Sequence, residues 1–501
     1  MKRDSPRNRM PPNSAWTLKD FIPDYEAPAR ERGGWSYMSS DLSALRAASS
    51  YVHAGIYAIF SPTAGAVERN IAVDEDGWIY SIALTGTPAA TSVTAGVVPA
   101  QNPIFHGGTA VSAATAIYTG LVIIPDGTGV AVPKKYDGTT VSNLGGSPPM
   151  ARYATVYKDY TVLGHGTVGT TNYPNRIWFS PAGDPDCAVS AVTAWDTTDA
   201  WIDFSLPIIG LASTKNVMLV FGKSQVARVR GSTPPPDEDM VVDDPWQKVS
   251  LLDPFSITEY QDQVFFCAQE GVYRTDGVSL DDLTLKGGML RHWLDLIADS
   301  TPSWTFATGV IRNKLVISVM NGSTFVDAFM VDLQSYAWTQ LTNTPIRTFW
   351  TGQYGTSDEL YFGLRSASRV GRMQTVFDPG DSAYKADANG VNVTSILETP
   401  FYELGRPGIK IVKALHVGYY LRDFATDNPT IAVSYVDTPE ETSYTSLDSL
   451  SENTEYNRQR IPIGGRHWGV GFKFARANPG DFHGFDLTAE VGYQEESKRI
   501  S

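Results

Sequence analysis

The chain has 501 residues, enough for roughly two to four domains or one large repeat array. Hydrophobic residues make up 42% and charged residues 19%, which allows a sizeable core and excludes wholesale disorder. Forty Lys+Arg against 54 Asp+Glu leave a formal net charge of −14, the wrong sign for a protein that grips nucleic acid by its phosphates. Gly (44), Pro (31), Tyr (24) and Trp (12) point to many short strands and tight turns, an all-β composition. Cys187 and Cys267 are the only cysteines, so no disulfide framework or cysteine-rich zinc site holds the fold, and both read as buried free thiols.

Taken in chain order, residues 1–50 read as an extended arm. The first thirty are basic and Pro-rich without an apolar h-region, so no secretory signal is expected. No run approaches about 18 apolar residues, so no membrane span is expected either.

From 51 to 376 one pattern recurs: a polar residue or turn, an alternating apolar strand, a short Gly/Asp/Ser turn, and another strand. Its clear copies cover 216–230, 262–277, 313–332 and 358–373; weaker ones cover 77–83, 120–136 and 159–180. The first apolar residues of the central strands are Ile79, Leu121, Tyr160, Val217, Val264, Leu315 and Leu360, spaced by 42, 39, 57, 47, 51 and 45. Propeller blades repeat at about 40–50 residues, so the spacing predicts a β-propeller of six or seven blades. The Asx-Gly pairs Asp76-Gly77, Asp126-Gly127, Asp137-Gly138, Asp276-Gly277 and Asn321-Gly322 predict positive-φ hairpin turns. One helix is predicted over 286–299, with Met289, Leu290, Trp293, Leu294 and Ile297 on one face, packed outside or at the edge of a blade.

Residues 377–390 read as a linker. The remaining 391–501 hold alternating runs at 392–397, 409–421, 430–436, 468–474 and 485–493, too few and too widely separated for more blades. They predict a C-terminal β-sandwich or jelly-roll-like domain. Its polar segment 437–456 is expected to be an exposed, mobile loop.

Four segments stand out in order along the chain: Asp20-Phe21-Ile22-Pro23-Asp24 followed by Arg30-Glu31-Arg32-Gly33-Gly34-Trp35; Asn175-Arg176-Ile177-Trp178-Phe179-Ser180-Pro181 with Gly183-Asp184-Pro185; 217–221 with Lys223-Ser224; and Glu398-Thr399-Pro400-Phe401 with Leu404-Gly405-Arg406-Pro407-Gly408. They resemble, in turn, the entry segment, a blade motif, the blade after it and the opening of the C-terminal domain in the β-propeller tail hub and nozzle (tail tubular) proteins of short-tailed bacteriophages. The resemblance is scattered over residues 20–420. It implies a non-enzymatic virion component made in the host cytoplasm, a six-fold homo-oligomeric ring below the portal and adaptor complex. Such a ring would bind tail tip or fibre proteins and let the genome pass without sequence-specific binding. It carries over no catalytic residue and no cofactor.

Gly164-His165-Gly166-Thr167-Val168-Gly169 matches G-x-G-x-x-G, but the following Thr170-Thr171-Asn172-Tyr173-Pro174 cannot open a helix. A hairpin loop is expected there in place of a dinucleotide site. The seven histidines form no close pair and no ligand set, so no metal is expected. Asp237, Glu238, Asp239, Asp243 and Asp244 form an acidic loop after Pro234-Pro235-Pro236. Without a closing Glu at calcium-loop spacing it reads as a solvated loop, or as one lining a channel and repelling phosphate. Trp195, Trp201, Trp246, Trp293, Trp304, Trp338, Trp350 and Trp468 read as filling between blades, with sugar-stacking platforms as the alternative. Carboxylates from different blades could also converge for glycoside cleavage. The rival reading is therefore a propeller enzyme or lectin acting on cell-surface polysaccharide. A bacterial surface adhesion module comes third, disfavoured by the missing secretion signal.

Overall fold

The computed structural model of the chain describes residues 17–19, 21–22, 30–31, 35–37, 42, 56–60, 71–83, 89–94, 101–106, 121–138, 140–188, 192–236, 239–301, 303–354, 357–364, 369–373, 395–399, 410–422, 430–438, 443–451, 453–464, 466–467, 470–476 and 481–493. The predicted linker 377–390 lies outside them.

The protein is all-β. Seven four-stranded antiparallel units follow one another; the first six are meanders of consecutive strands, and the seventh takes its fourth strand from the N-terminal arm. Sheet one begins with Ile56–Phe60, sheet two with Ile104–His106, sheet three with Met150–Tyr157 and sheet four with Ile208–Ser213. Sheets five, six and seven begin with Thr258–Tyr260, Trp304–Ile311 and Ile346–Tyr354. Their second strands carry apolar runs buried on both faces, as in Val217–Gly222, which is buried throughout. A strand enclosed between two layers reads this way, without alternation.

Each consecutive pair of sheets meets through an apolar core, and the one between sheets five and six is continuous with the core of the C-terminal sheets. Ile71 and Val73 meet Val122 and Ile124 between sheets one and two, and Ile123 meets Leu163 and Trp178 between two and three. Phe179 meets Met218, and Leu219 meets Val264, across the next two boundaries. Phe265 meets Phe306 between sheets five and six, and Ile311 meets Phe349 between six and seven. Tyr361 of sheet seven packs with Ile56 and Tyr80 of sheet one. Trp178, Trp293 and Trp338 are fully buried in these cores, as expected of filling between sheets. Trp468 lies outside the described residues.

Glycines set the closeness of four of these boundaries. A Cβ at Gly164 would stand 3.0 Å from Leu211, one at Gly210 2.5 Å from Ile257, one at Gly309 2.6 Å from Phe349 and one at Gly363 2.6 Å from Ile56. In each case an apolar side chain from the start of the next sheet fills the space that the glycine leaves. The last of the four joins sheet seven to sheet one.

Six of the seven marker residues open or enter the second strand of their sheet. Ile79 instead opens the third strand of sheet one, Ile79–Ala83, after Ile71–Asp74. Counted from Ile71, the first spacing is 50 (71 to 121) and not 42. The Asx-Gly expectation holds at Gly77, Gly138, Gly277 and Gly322, all at positive φ. In the 126–131 turn Gly129 takes that conformation and Gly127 does not. The predicted helix is two helices, Leu283–Gly287 and Leu290–Ala298, separated by Gly288 in the left-handed region. Trp293 anchors the second by burying its ring and donating Nε1–H to Ala268 O at 3.0 Å, whereas Leu294 faces solvent.

The N-terminal arm is woven through the rest of the chain. Trp35–Tyr37 supplies the fourth strand of sheet seven, pairing with Val370–Met373. Thr17–Lys19 pairs antiparallel with Ser395–Glu398 and, at Lys19 opposite Gln340, parallel with the outer strand of sheet six. One nine-stranded sheet therefore runs from sheet six through the arm into Ser395–Glu398, Gly471–Arg476, Thr430–Val436 and Thr445–Ser451. Phe21–Ile22 and Arg30–Glu31 join a second C-terminal sheet with Asp481–Tyr493, Lys410–Arg422 and Asn453–Pro462. Val412, Leu415, Val417 and Ile461 of that sheet bury against Val433, Leu450, Phe472 and Phe474 of the first. In the polar segment expected as a mobile loop, Thr445–Ser451 is a strand paired with Thr430–Val436, and the strand Asn453–Pro462, paired with Lys410–Arg422 in the second sheet, begins. Of residues 445–450 Leu450 alone is fully buried.

Candidate functional site

Where sheets three, four and five begin, their first strands end in tight turns at the same end of the fold. Lys158 and Asp159 turn the chain in sheet three, Thr214 to Asn216 in sheet four, and Gln261 and Asp262 in sheet five. Lys158, Gln261 and Asp262 adopt positive φ, as two-residue hairpin turns demand, and Asp is among the residues that tolerate it. Between these turns lies an open recess of about 560 Å³.

Glu259 sits in this recess, on the short first strand of sheet five. Its Oε1 accepts the Ser213 N–H at 2.6 Å and the Thr155 hydroxyl at 3.3 Å, so one carboxylate oxygen ties together three sheets. Ser213 Oγ donates to Val156 O at 2.6 Å, Lys158 Nζ donates to Lys215 O at 2.8 Å, and the Lys215 N–H donates to Asp262. Protein crowds the Glu259 carboxyl and pushes it up to about 7, against the pull of the Ser213 and Thr155 donors. Water still reaches it through the recess, because the residue is exposed, and this tempers the desolvation.

The other end of the same first strands is filled. Asp253 caps the short turn Pro254–Ser256 by accepting from Phe255 N at 2.9 Å, and it also accepts from Phe306 N at 3.1 Å. The Arg347 guanidinium stacks 4.3 Å over the Phe255 ring and lies 3.9 Å from Asp253. Phe255 precedes sheet five in sequence yet packs with sheets one and two. Asn102 bonds to Phe349 O at 3.3 Å and to the Thr348 hydroxyl at 2.7 Å, and Gln101 donates to Ala154 O.

The acidic residues singled out in the sequence lie elsewhere, at the outer edge of sheet four. Asp237 and Glu238 fall outside the described residues. Asp239 accepts from Ser232 N, Ser232 Oγ and Thr233 N, and these bonds hold its carboxyl below the usual range. Asp243 takes two hydrogen bonds from Arg228 at 2.9 and 2.6 Å and lies 3.3 Å from Arg230. Asp244 accepts from Ser205 N at 2.6 Å and Gln225 Nε2 at 2.6 Å. All three described carboxylates are committed to local bonds.

The G-x-G-x-x-G run lies in the strand Tyr160–Val168, with a register shift around His165, and only Gly169 forms the turn. The motif at 175–185 is likewise structural. Arg176 is bidentate to Asp203 at 2.7 Å and stacks 3.5 Å over Trp201, Trp178 is buried, and Ser180 Oγ accepts from Thr161 N. Cys187 and Cys267 are both free; Cys267 is buried as expected, whereas Cys187 is only half-buried, and partial desolvation pushes its thiol up to about 11. Among the described residues no group of three or more His, Cys, Asp or Glu side chains is placed to hold a metal ion. No helix among them is long and apolar enough to cross a membrane.

Sequence reading missed Glu259. The available signal was the turn at the start of each clear repeat, since 216, 262 and 313 lie in the first hairpin turn of sheets four, five and six. No family model matches the chain, and no curated protein matches it.

Proposed function

We propose that the seven units are blades of a β-propeller joined to a C-terminal β-sandwich, and that the chain is a structural, non-catalytic component of a bacteriophage tail. In this reading identical chains form a six-fold ring around the DNA-ejection channel, below the portal and adaptor. The sandwich and exposed turns bind tail tip or fibre proteins, and the net charge of −14 keeps passing DNA from sticking.

The observation that carries this reading is the N-terminal arm. Its strands enter sheet seven, bridge sheet six to the sandwich at Lys19, and join the second C-terminal sheet. The arm thereby ties sheets six and seven to the C-terminal sheets, giving a body suited to tiling around an axis through heterologous contacts that close a ring. Quantitative mass spectrometry of purified virions tests it through the copy number relative to the portal. About half the portal count supports a six-fold ring on a twelve-fold portal, as closed rotational assembly requires. A trimer-like count, or absence from the virion, overturns the reading.

A further inference from the structure

Outside the proposed conduit role, the recess at Glu259 combines open volume with uncommitted polar groups among the described residues. Its about 560 Å³ falls in the size range of small-molecule sites. Glu259 commits only Oε1, leaving Oε2 without a hydrogen bond among the described residues. The Asp159 carboxylate and the Lys215 ammonium, both on exposed turns lining the recess, likewise have no partner there. The walls are fixed in advance by the bonds from Lys158 to Lys215 O, from Lys215 N to Asp262 and from Ser213 to Val156 O. A preformed wall lowers the ordering cost of binding.

The charges around the recess narrow the ligand class. Asp159, Glu259 and Asp262 would repel a phosphate or carboxylate ligand, while Lys158 and Lys215 stand against a polycation. A divalent metal is not favoured, since no three ligating side chains converge there. What suits unpaired acceptors and an unpaired donor side by side is a neutral ligand whose every group both donates and accepts, which is the chemistry of a hydroxyl.

We propose that this recess binds a neutral saccharide, with Asp159 and Glu259 Oε2 accepting from its hydroxyls and Lys215 donating to them. This is a binding site and involves no bond cleavage. It is independent of the conduit role, which the copy number decides by itself. Below about pH 7 a protonated Glu259 would donate where the carboxylate accepts, so the preferred sugar, or its affinity, changes across neutrality.

Saturation-transfer NMR on the full chain tests this, with glucose, galactose, mannose, rhamnose and N-acetylglucosamine as probes near about 1 mM affinity. Glu259→Gln and Lys215→Ala are the variants. Lys215 lies on an exposed turn, so its truncation leaves the fold intact if Glu259→Gln does not. The expected result is transfer to at least one sugar, weakened about tenfold by Lys215→Ala, the loss of one charge-assisted hydrogen bond. No transfer to any of the five, or transfer unchanged in both variants, overturns the proposal; the second outcome means that the sugar touches another surface.

Discussion

Ser213 donates its backbone N–H to Glu259 across the boundary between sheets four and five, at 2.6 Å. The bond fixes a carboxyl whose proton is held more tightly in the folded chain than in the unfolded one. Its folded value of about 7 stands above the ordinary 4.5. Between those values the native chain binds more protons than the unfolded chain, so stability falls as pH rises through that window and stays at its lower level above it. Glu259→Gln removes this slope while keeping an acceptor for Ser213. Melting curves near pH 5 and near pH 8 should show the variant gaining on the parent at the higher pH. The gain stays under about 1 kcal/mol because water screens the group. An equal difference at both pH values would mean that Glu259 does not titrate in this range.

Gly309 has Phe349 Cβ 2.6 Å and Leu360 Cδ1 2.7 Å from where its own Cβ would stand. Gly309→Ala forces sheets six and seven apart and should cost about 1–3 kcal/mol, the usual penalty of overpacking. Gly169→Ala is the contrast, because nothing lies within 4 Å and only its positive φ is strained. Urea denaturation of the two variants separates crowding from backbone strain. Similar losses for both would remove the argument that the glycine sets the spacing between these sheets.

Deleting residues 1–37 removes the outer strand of sheet seven and the bridge at Lys19 together. Val370–Met373 then becomes an unpaired edge, a template for pairing between chains. The truncated protein should aggregate on concentration and unfold in two calorimetric steps, sheets one to seven apart from the C-terminal pair, where the full chain unfolds in one. A single unchanged transition would show that the arm couples nothing.

Asp243 neutralises Arg228, whose guanidinium also donates to Gly277 O at 2.8 Å in sheet five. Asp243→Ala leaves a mostly enclosed cation short of its partner and should cost about 1–3 kcal/mol. Asp239→Ala, in the exposed turn beside it, should cost less. Chemical denaturation of both checks the order, and the reverse order would mean that the acidic segment is held by the turn and not by the ion pair.

Much of this fold was legible along the chain. The unit spacing follows from a meander of short strands, and the apolar runs at 217–222 and 263–268 declare strands buried on both faces. Sheet one was read one strand late because Ile71–Asp74 is short and the Asp76-Gly77 turn drew the marker to Ile79. The strand Thr445–Ser451 was read as a loop because its sequence alternates weakly. A partner strand and the burial of Leu450 supply what its own pattern lacks. The helix break at Gly287-Gly288 was passed over because glycine lowers helix propensity without forbidding a helix, and the apolar face from Met289 to Ile297 carried the reading.

Strand periodicity, turn chemistry, the all-β class and the absence of a cysteine framework were determined by the sequence alone, since each depends on residues near one another in the chain. Tertiary structure alone decided that Phe255 packs with sheets one and two, that the acidic residues at 239–244 are spent on hydrogen bonds within the protein, and that the arm supplies the fourth strand of sheet seven. It also placed Glu259 between Ser213 and Thr155, residues 46 and 104 positions away. Such contacts form only when separate sheets pack, and neither composition nor spacing carries the angle at which one sheet meets the next.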